Sequence, residues 1–196
     1  RSRRCSSFDR TGANKDWVPI PAGGSHVLAD ISGAGIIKHI WITVNSEDPL
    51  WPRSMVLRAW WDGEEQPSIE APIGDFFGVG HGKVAQYMSL PMNMITGADA
   101  LDRNQAAMNC FLPMPFRTAA RVEVENQSDK DVQSFYYYVD YEEHDGLPDD
   151  LLYLHARWNR ENPTTGIETF HMEFEDLFFN TRNTTGEGNY ELFSAE

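Results

Sequence analysis

Arg121-Val122-Glu123-Val124-Glu125 alternates strictly between apolar and charged residues, so its two valines face one way and its charges the other. A second stretch, Phe135-Tyr136-Tyr137-Tyr138-Val139, is aromatic and β-branched and suits a pleated surface better than a helix. Working outward from these two, the same character predicts strands at Val27–Ile31, Ile36–Asn45, Met55–Asp62, Ser68–Ile73, Tyr87–Met92, Met108–Pro113, Ala120–Asn126 and Ser134–Glu142. Turn residues separate them. Ser32-Gly33-Ala34-Gly35 and Asp62-Gly63 stand where hairpins are expected to turn. Many short strands with few helical patterns imply an all-β protein, a two-sheet sandwich of jelly-roll type.

The chain has 196 residues, 41% of them hydrophobic, with eleven Phe, seven Tyr and six Trp, which excludes intrinsic disorder. No apolar run approaches the roughly 20 residues of a membrane helix, so no membrane partner is expected. A net charge of −14 argues against a nucleic-acid partner, because phosphate binding draws on clustered Lys and Arg. Charge is uneven: residues 1–30 carry five basic and three acidic groups, residues 141–196 three basic and thirteen acidic. The basic start could pair with the acidic end or with another subunit, but a solvated surface is the favoured reading. Cys5 and Cys110 have no zinc or disulfide-framework spacing and read as free thiols of a reducing, cytoplasmic setting. The six histidines show no metal-ligand spacing, and no metal or other cofactor is expected. A chain that starts at Arg1 is expected to have lost its native start, where a signal peptide would sit.

Pro148-Asp149-Asp150 and Leu151–Arg160 carry helix signals, yet Leu152, Leu154, Ala156 and Trp158 also alternate with polar or aromatic neighbours. The favoured reading is a strand pairing back onto Phe135–Glu142. Beyond it the sequence loosens into an extended arm or linker at 162–196, leaving a domain at 1–161. Phe170, Phe174, Phe178 and Phe179 would leave that arm too apolar to stay unattached, so it is expected to pack on another domain or subunit. Tyr190-Glu191-Leu192-Phe193 reads as the start of a further strand in a longer native chain.

Two segments gather sugar-binding residue types. Between Phe8 and Trp17, the residues Asp9, Arg10, Asn14 and Asp16 surround a glycine. Carboxylates and amides take hydroxyl hydrogens while an aromatic face covers the apolar side of a ring. The same residues also suit a polar arm with a Thr-Gly turn. Farther on, Arg157 and Arg160 flank Trp158, followed by Glu161, a pattern for a hydroxyl-rich or carboxylate ligand with the indole as a plate. A buried Trp with solvated arginines is the competing reading. The carboxylate run Asp140–Asp145 has the groups that glycosidic cleavage needs, but on a strand Glu142 and Glu143 face opposite ways. Gly74-Asp75-Phe76-Phe77-Gly78-Val79-Gly80-His81-Gly82 reads as a tight aromatic loop over a sheet edge, since no phosphate-loop Lys-Ser/Thr follows and it opens no helix.

Together, Arg3–Trp17, Ile37–Thr43, Leu57–Pro67, Gly74–Gly78, Asn109–Arg117, Phe135–Glu143 and His155–Pro163 resemble a family once catalogued as a domain of unknown function. Its members are glycoside hydrolases acting on α-D-fructofuranosides, including difructose dianhydrides, and on α-D-arabinofuranosides. The resemblance implies a double jelly roll related to some viral capsid proteins, assembling as trimers or pairs of trimers, and a retaining mechanism with two glutamates. Those glutamates lie in motifs resembling Gly-Glu-Gly-Asp-Glu and Gly-Thr-Glu-Asp-Tyr-Phe-Gly, neither of which occurs here; Gly186-Glu187-Gly188-Asn189 is a superficial echo. The chain thus resembles the first half of such an enzyme, and no catalytic residue is assigned. The resemblance and the residue types together place Asp9, Arg10, Asn14, Asp16, Arg157, Trp158, Arg160 and Glu161 against a furanose, from two different subunits if need be. A non-catalytic carbohydrate-binding module and a capsid-like assembly module are the alternatives.

Overall fold

A computed structural model describes residues 1–97 and 105–160. Glu161 and the expected arm at 162–196, with Phe170, Phe174, Phe178 and Phe179, lie outside the described residues. Arg1–Trp158 form one compact unit. Its strands are β1 (Ser2–Ser6), β2 (Val18–Ile20), β3 (Ser25–Ser32), β4 (Ala34–Ser46), β5 (Met55–Trp61), β6 (Ile69–Pro72), β7 (Tyr87–Met88), β8 (Met92–Ile95), β9 (Ala107–Cys110), β10 (Met114–Phe116), β11 (Ala119–Asn126), β12 (Val132–His144) and β13 (Ala156–Arg157). Two single-turn helices, α1 (Trp51–Ser54) and α2 (Ile73–Phe76), flank β5 and β6.

The pairing makes the sandwich a jelly roll. One sheet runs β1-β12-β4-β9-β8-β7 and the other β13-β6-β5-β11-β3. The pairs nest: β5 with β6, β4 with β9, β3 with β11 and β1 with β12, all antiparallel. Nested antiparallel pairs are one long hairpin, rolled until its successive strand pairs fall alternately in two facing sheets. The inward faces supply the core by strict alternation. In β11 Ala120, Val122, Val124 and Asn126 are buried; in β12 Phe135, Tyr137 and Val139; in β4 Ile40, Ile42 and Val44. Buried Asn126 donates to the carbonyls of Ile20 (3.3 Å), Pro21 (3.2 Å) and Lys130 (2.8 Å), so its amide hydrogens are not left unpaired among apolar neighbours.

Several expectations need correction. Ser32–Gly35 is no hairpin turn; it joins β3 in one sheet to β4 in the other. Gly33, at φ 92°, makes that corner and donates its N–H to the Thr118 carbonyl at 2.8 Å. The run Tyr87–Met92 splits into β7 and β8 around Ser89–Pro91, and their register makes a hairpin. Met108–Pro113 also breaks, after Cys110. β9 and β10 both pair with β4, and between them Phe111-Leu112-Pro113 oppose only Lys38 and His39. That extra residue throws Phe111 outward, where its ring stacks on His39 at 4.6 Å. The strand expected at Leu151–Arg160 shrinks to Ala156–Arg157 and pairs parallel to Ile69–Glu70, not with Phe135–Glu142. Both edges of β12 are already taken, by β1 and by β4, so no edge remained for it. β1 and β2 had no counterpart in the sequence reading.

The basic start is also paired rather than simply solvated. Arg3 meets Glu143 at 3.0 Å, and Arg4 grips Asp140 with two guanidinium nitrogens, Nε and Nη2, the longer contact 2.9 Å. These side chains stay partly exposed, so the pairs add little stability; they pin the register of β1 on β12.

Candidate functional site

The segment after β12 is strapped across the sandwich by one arginine and one aspartate. The Arg117 guanidinium donates to the carbonyls of Pro148 (3.3 Å), Asp149 (3.1 Å) and Leu151 (3.0 Å), and lies 4.9 Å from the centre of the Tyr153 ring. The Tyr153 hydroxyl donates to Asp62 Oδ2. Asp62 Oδ1 in turn accepts the backbone N–H groups of Arg117 (2.8 Å), Thr118 (2.6 Å) and Ala119 (3.1 Å). The buried Trp61 indole then donates to the Leu154 carbonyl at 2.8 Å. Beyond this latch the Ala156 N–H reaches the Ser68 carbonyl (3.1 Å) and the Trp158 N–H that of Glu70 (3.2 Å).

The strap closes one side of a cleft of about 300 Å³. Phe76, Leu112 and Leu154 make an apolar floor, and Asp75, Arg157 and Trp158 stand among its polar and aromatic walls. Arg157 donates to Glu70 Oε2 at 2.9 Å, and Glu70 Oε1 accepts from Arg58 at 2.7 Å. A guanidinium has five donors, so this pairing leaves Arg157 able to meet a ligand oxygen. Trp158 is 39% exposed. It is therefore not the buried indole of the competing reading.

Asp75 was missed as a site residue. Gly74–Gly78, expected as a loop, contains the helical turn α2 and rests on close approach. A Cβ at Gly74 would lie 2.6 Å from Pro52 Cβ and 2.9 Å from the Pro52 carbonyl oxygen, while Gly78 sits at φ 83° beneath the Tyr87 hydroxyl. An acid held between glycines in such apolar company was the available signal. Gly74→Ala should push α2 off α1 and cost about 1–3 kcal/mol. Thermal melting checks it against Gly146→Ala, where a Cβ meets nothing within 4 Å; equal melting temperatures for the two variants would reject the close-packing account.

The N-terminal segment forms a separate feature. β1 is an edge strand of its sheet, and the loop leaving it turns on Gly12 (φ 78°) and Asn14 (φ 59°). The Asp9 carboxylate accepts from Thr11 N (2.8 Å), Thr11 Oγ1 (2.7 Å) and Lys15 N (3.2 Å), and these bonds, the Thr11 hydroxyl first, hold it below the usual carboxylate range. Asp16 Oδ1 accepts the Asp9 N–H at 2.7 Å. Both carboxylates thus build the loop, and a sugar hydroxyl would be a further donor to lone pairs that remain. Arg10 and Asn14 are exposed, as is Phe8 at 59%. Trp17 instead lies against Tyr136 of β12, ring centres 5.8 Å apart. β1 and β13 edge different sheets, so Asp9–Asp16 and Arg157–Trp158 belong to different edges. Arg160 is exposed, and Glu161 lies outside the described residues.

The carboxylate run on β12 is divided among separate partners. Asp140 binds Arg4 and His39, Glu143 binds Arg3, and Glu142 lies 3.6 Å from His144. Burial pushes the Asp140 carboxyl up, but Arg4 and His39 outweigh it and hold the group low.

A family model described as GH172 domain-like matches residues 11–138. The match covers more than half of the chain. The chain belongs to this family. The GH172 match runs from the N-terminal loop through both sheets into β12, and it includes Asp75 but not Arg157 or Trp158. It joins this jelly roll to a domain family of glycoside hydrolases. No curated protein matches the chain. Among the described residues of this GH172 domain no helix is long and apolar enough to cross a membrane.

Proposed function

We propose that this GH172 domain supplies sugar-contacting and subunit-facing residues to a retaining hydrolase of α-D-fructofuranosides or α-D-arabinofuranosides. The observation that carries this reading is the cleft, in which an exposed tryptophan, an arginine and an aspartate stand over an apolar floor. Trp158 covers the apolar face of the furanose, and Arg157 donates to ring or linkage oxygens. The loop at Asp9–Asp16, with Arg10 and Asn14, meets the sugar from a neighbouring copy, which its place on a different sheet edge favours over joining the same cleft. This reading calls for a homo-oligomer, a trimer or hexamer, around a carbohydrate substrate.

A retaining hydrolase needs a nucleophile and an acid whose pKa is raised. Asp9, Asp62, Glu125 and Asp140 are all shifted downward, held as anions by their partners, and suit the acid's role poorly. We assign the catalytic pair to none of them. In the assembled enzyme, Trp158→Ala and Asp9→Ala should each lower kcat/KM roughly 10- to 100-fold, the worth of one or two lost contacts, while the sheets stay folded. Unaltered kinetics in both variants would remove these segments from the site.

A further inference from the structure

Trp158 is exposed, yet two side chains hold it. Asp75, on α2, has a side chain only 16% exposed, and its Oδ1 accepts the indole N–H at 3.1 Å. Its Oδ2 is buried and makes no hydrogen bond; Arg53 Nε lies 3.4 Å away, an ion pair too poorly aimed to be one. Arg53, on α1, also donates to the Gly80 carbonyl and places its guanidinium 5.0 Å from the centre of the indole. The indole is therefore gripped at its N–H and across one face, while the ring also lines the cleft. Both gripping residues come from short helices locked together through Gly74 and Pro52.

A ring fixed before its ligand arrives loses less freedom on binding, and that raises affinity without a new contact. We infer that Asp75 and Arg53 are positioning residues which hold Trp158 as a pre-set stacking plate for an uncharged furanose ring. The ligand class rests on the furanoside reading above; the clamp does not. Charge narrows the class: an anionic ring would approach the buried Asp75 carboxylate, and a cationic one would meet Arg53 and Arg157. An uncharged polyhydroxylated ring meets neither obstacle.

The test is the indole ¹H–¹⁵N resonance of Trp158 in the full chain, assigned through Trp158→Phe, with methyl α-D-arabinofuranoside as the probe. In Asp75→Ala this resonance should move toward the position of a solvent-exposed indole, its exchange with water should quicken at least about tenfold, and the sugar's Kd should rise by roughly tenfold. Asp75→Asn keeps an acceptor oxygen and should restore most of both. Arg53→Met, which leaves Asp75 in place, should broaden the same resonance and serves if Asp75→Ala does not fold. An unmoved indole resonance in Asp75→Ala and Arg53→Met would overturn the clamp. A moved resonance with unchanged sugar affinity would uphold the clamp and sink the furanoside reading instead.

Discussion

Trp61→Ala should cost about 3–5 kcal/mol of stability and lower the melting temperature by roughly 10 °C. Trp61 ends β5 with no exposed surface, so its removal leaves a cavity between the sheets that neighbours on two paired strands cannot close. Its indole also holds the Leu154 carbonyl of the strap at 2.8 Å. Trp61→Phe separates the two effects, keeping much of the volume and losing the donor, with an expected cost of about 1–2 kcal/mol. Urea unfolding measures both. A Trp61→Ala variant within 1 kcal/mol of the parent would mean that the strap and the sheet end are not packed as described.

Asp62→Ala should cost about 3 kcal/mol, because one side chain serves five donors: the Arg117, Thr118 and Ala119 amides and the hydroxyls of Thr118 and Tyr153. It also places alanine at φ 55°, a conformation that Asp and Asn tolerate better. Burial pushes the Asp62 carboxyl up, but the Tyr153 hydroxyl and the three amides outweigh it and hold it below the usual range. A carboxylate depressed in the folded state stabilises fully above its unfolded value, about 3.9, and that contribution is lost as pH falls through the lower folded value. The stability gap between the parent and Asp62→Asn should therefore be constant from neutral pH to about 5 and shrink below 4. A gap that widens in acid would show that Asp62 is not held as an anion.

The sheets were legible because burial imposed a period that the side chains obey. Val122, Val124, Phe135 and Val139 face inward as alternation requires, and no other register buries them together. Strands whose pairing depends on backbone alone left no such trace. β1 reads Ser-Arg-Arg-Cys-Ser and shows nothing apolar except Cys5, yet it completes a sheet edge through hydrogen bonds and two ion pairs. Proline left a trace that alternation hides, for Pro91 lies inside an expected strand that splits into β7 and β8 around it. Of the candidate site, the pairing of Arg157 with Trp158 was visible because both residue types are conspicuous. Asp75 was not, since its role depends on β13 lying along β6, a contact between residues far apart in sequence.

The nested pairing also sets an order of events in time. Ala59 reaches Ile69 across a short loop, whereas Ser2 must find Glu142 from nearly the other end of the unit. Closing a longer loop costs more entropy, and contacts of high sequence separation slow folding. The roll should therefore wind from its inner pair outward, with β1 settling onto β12 after the rate-limiting barrier. Cys5→Ala should then speed unfolding and leave the refolding arm of the chevron unchanged; a slower refolding arm would place β1 in the nucleus. Until β1 arrives, the backbone of β12 from Tyr138 to Glu142 lies unpaired along one edge. Self-association during refolding should concentrate in that interval, when another chain can add a strand where β1 belongs.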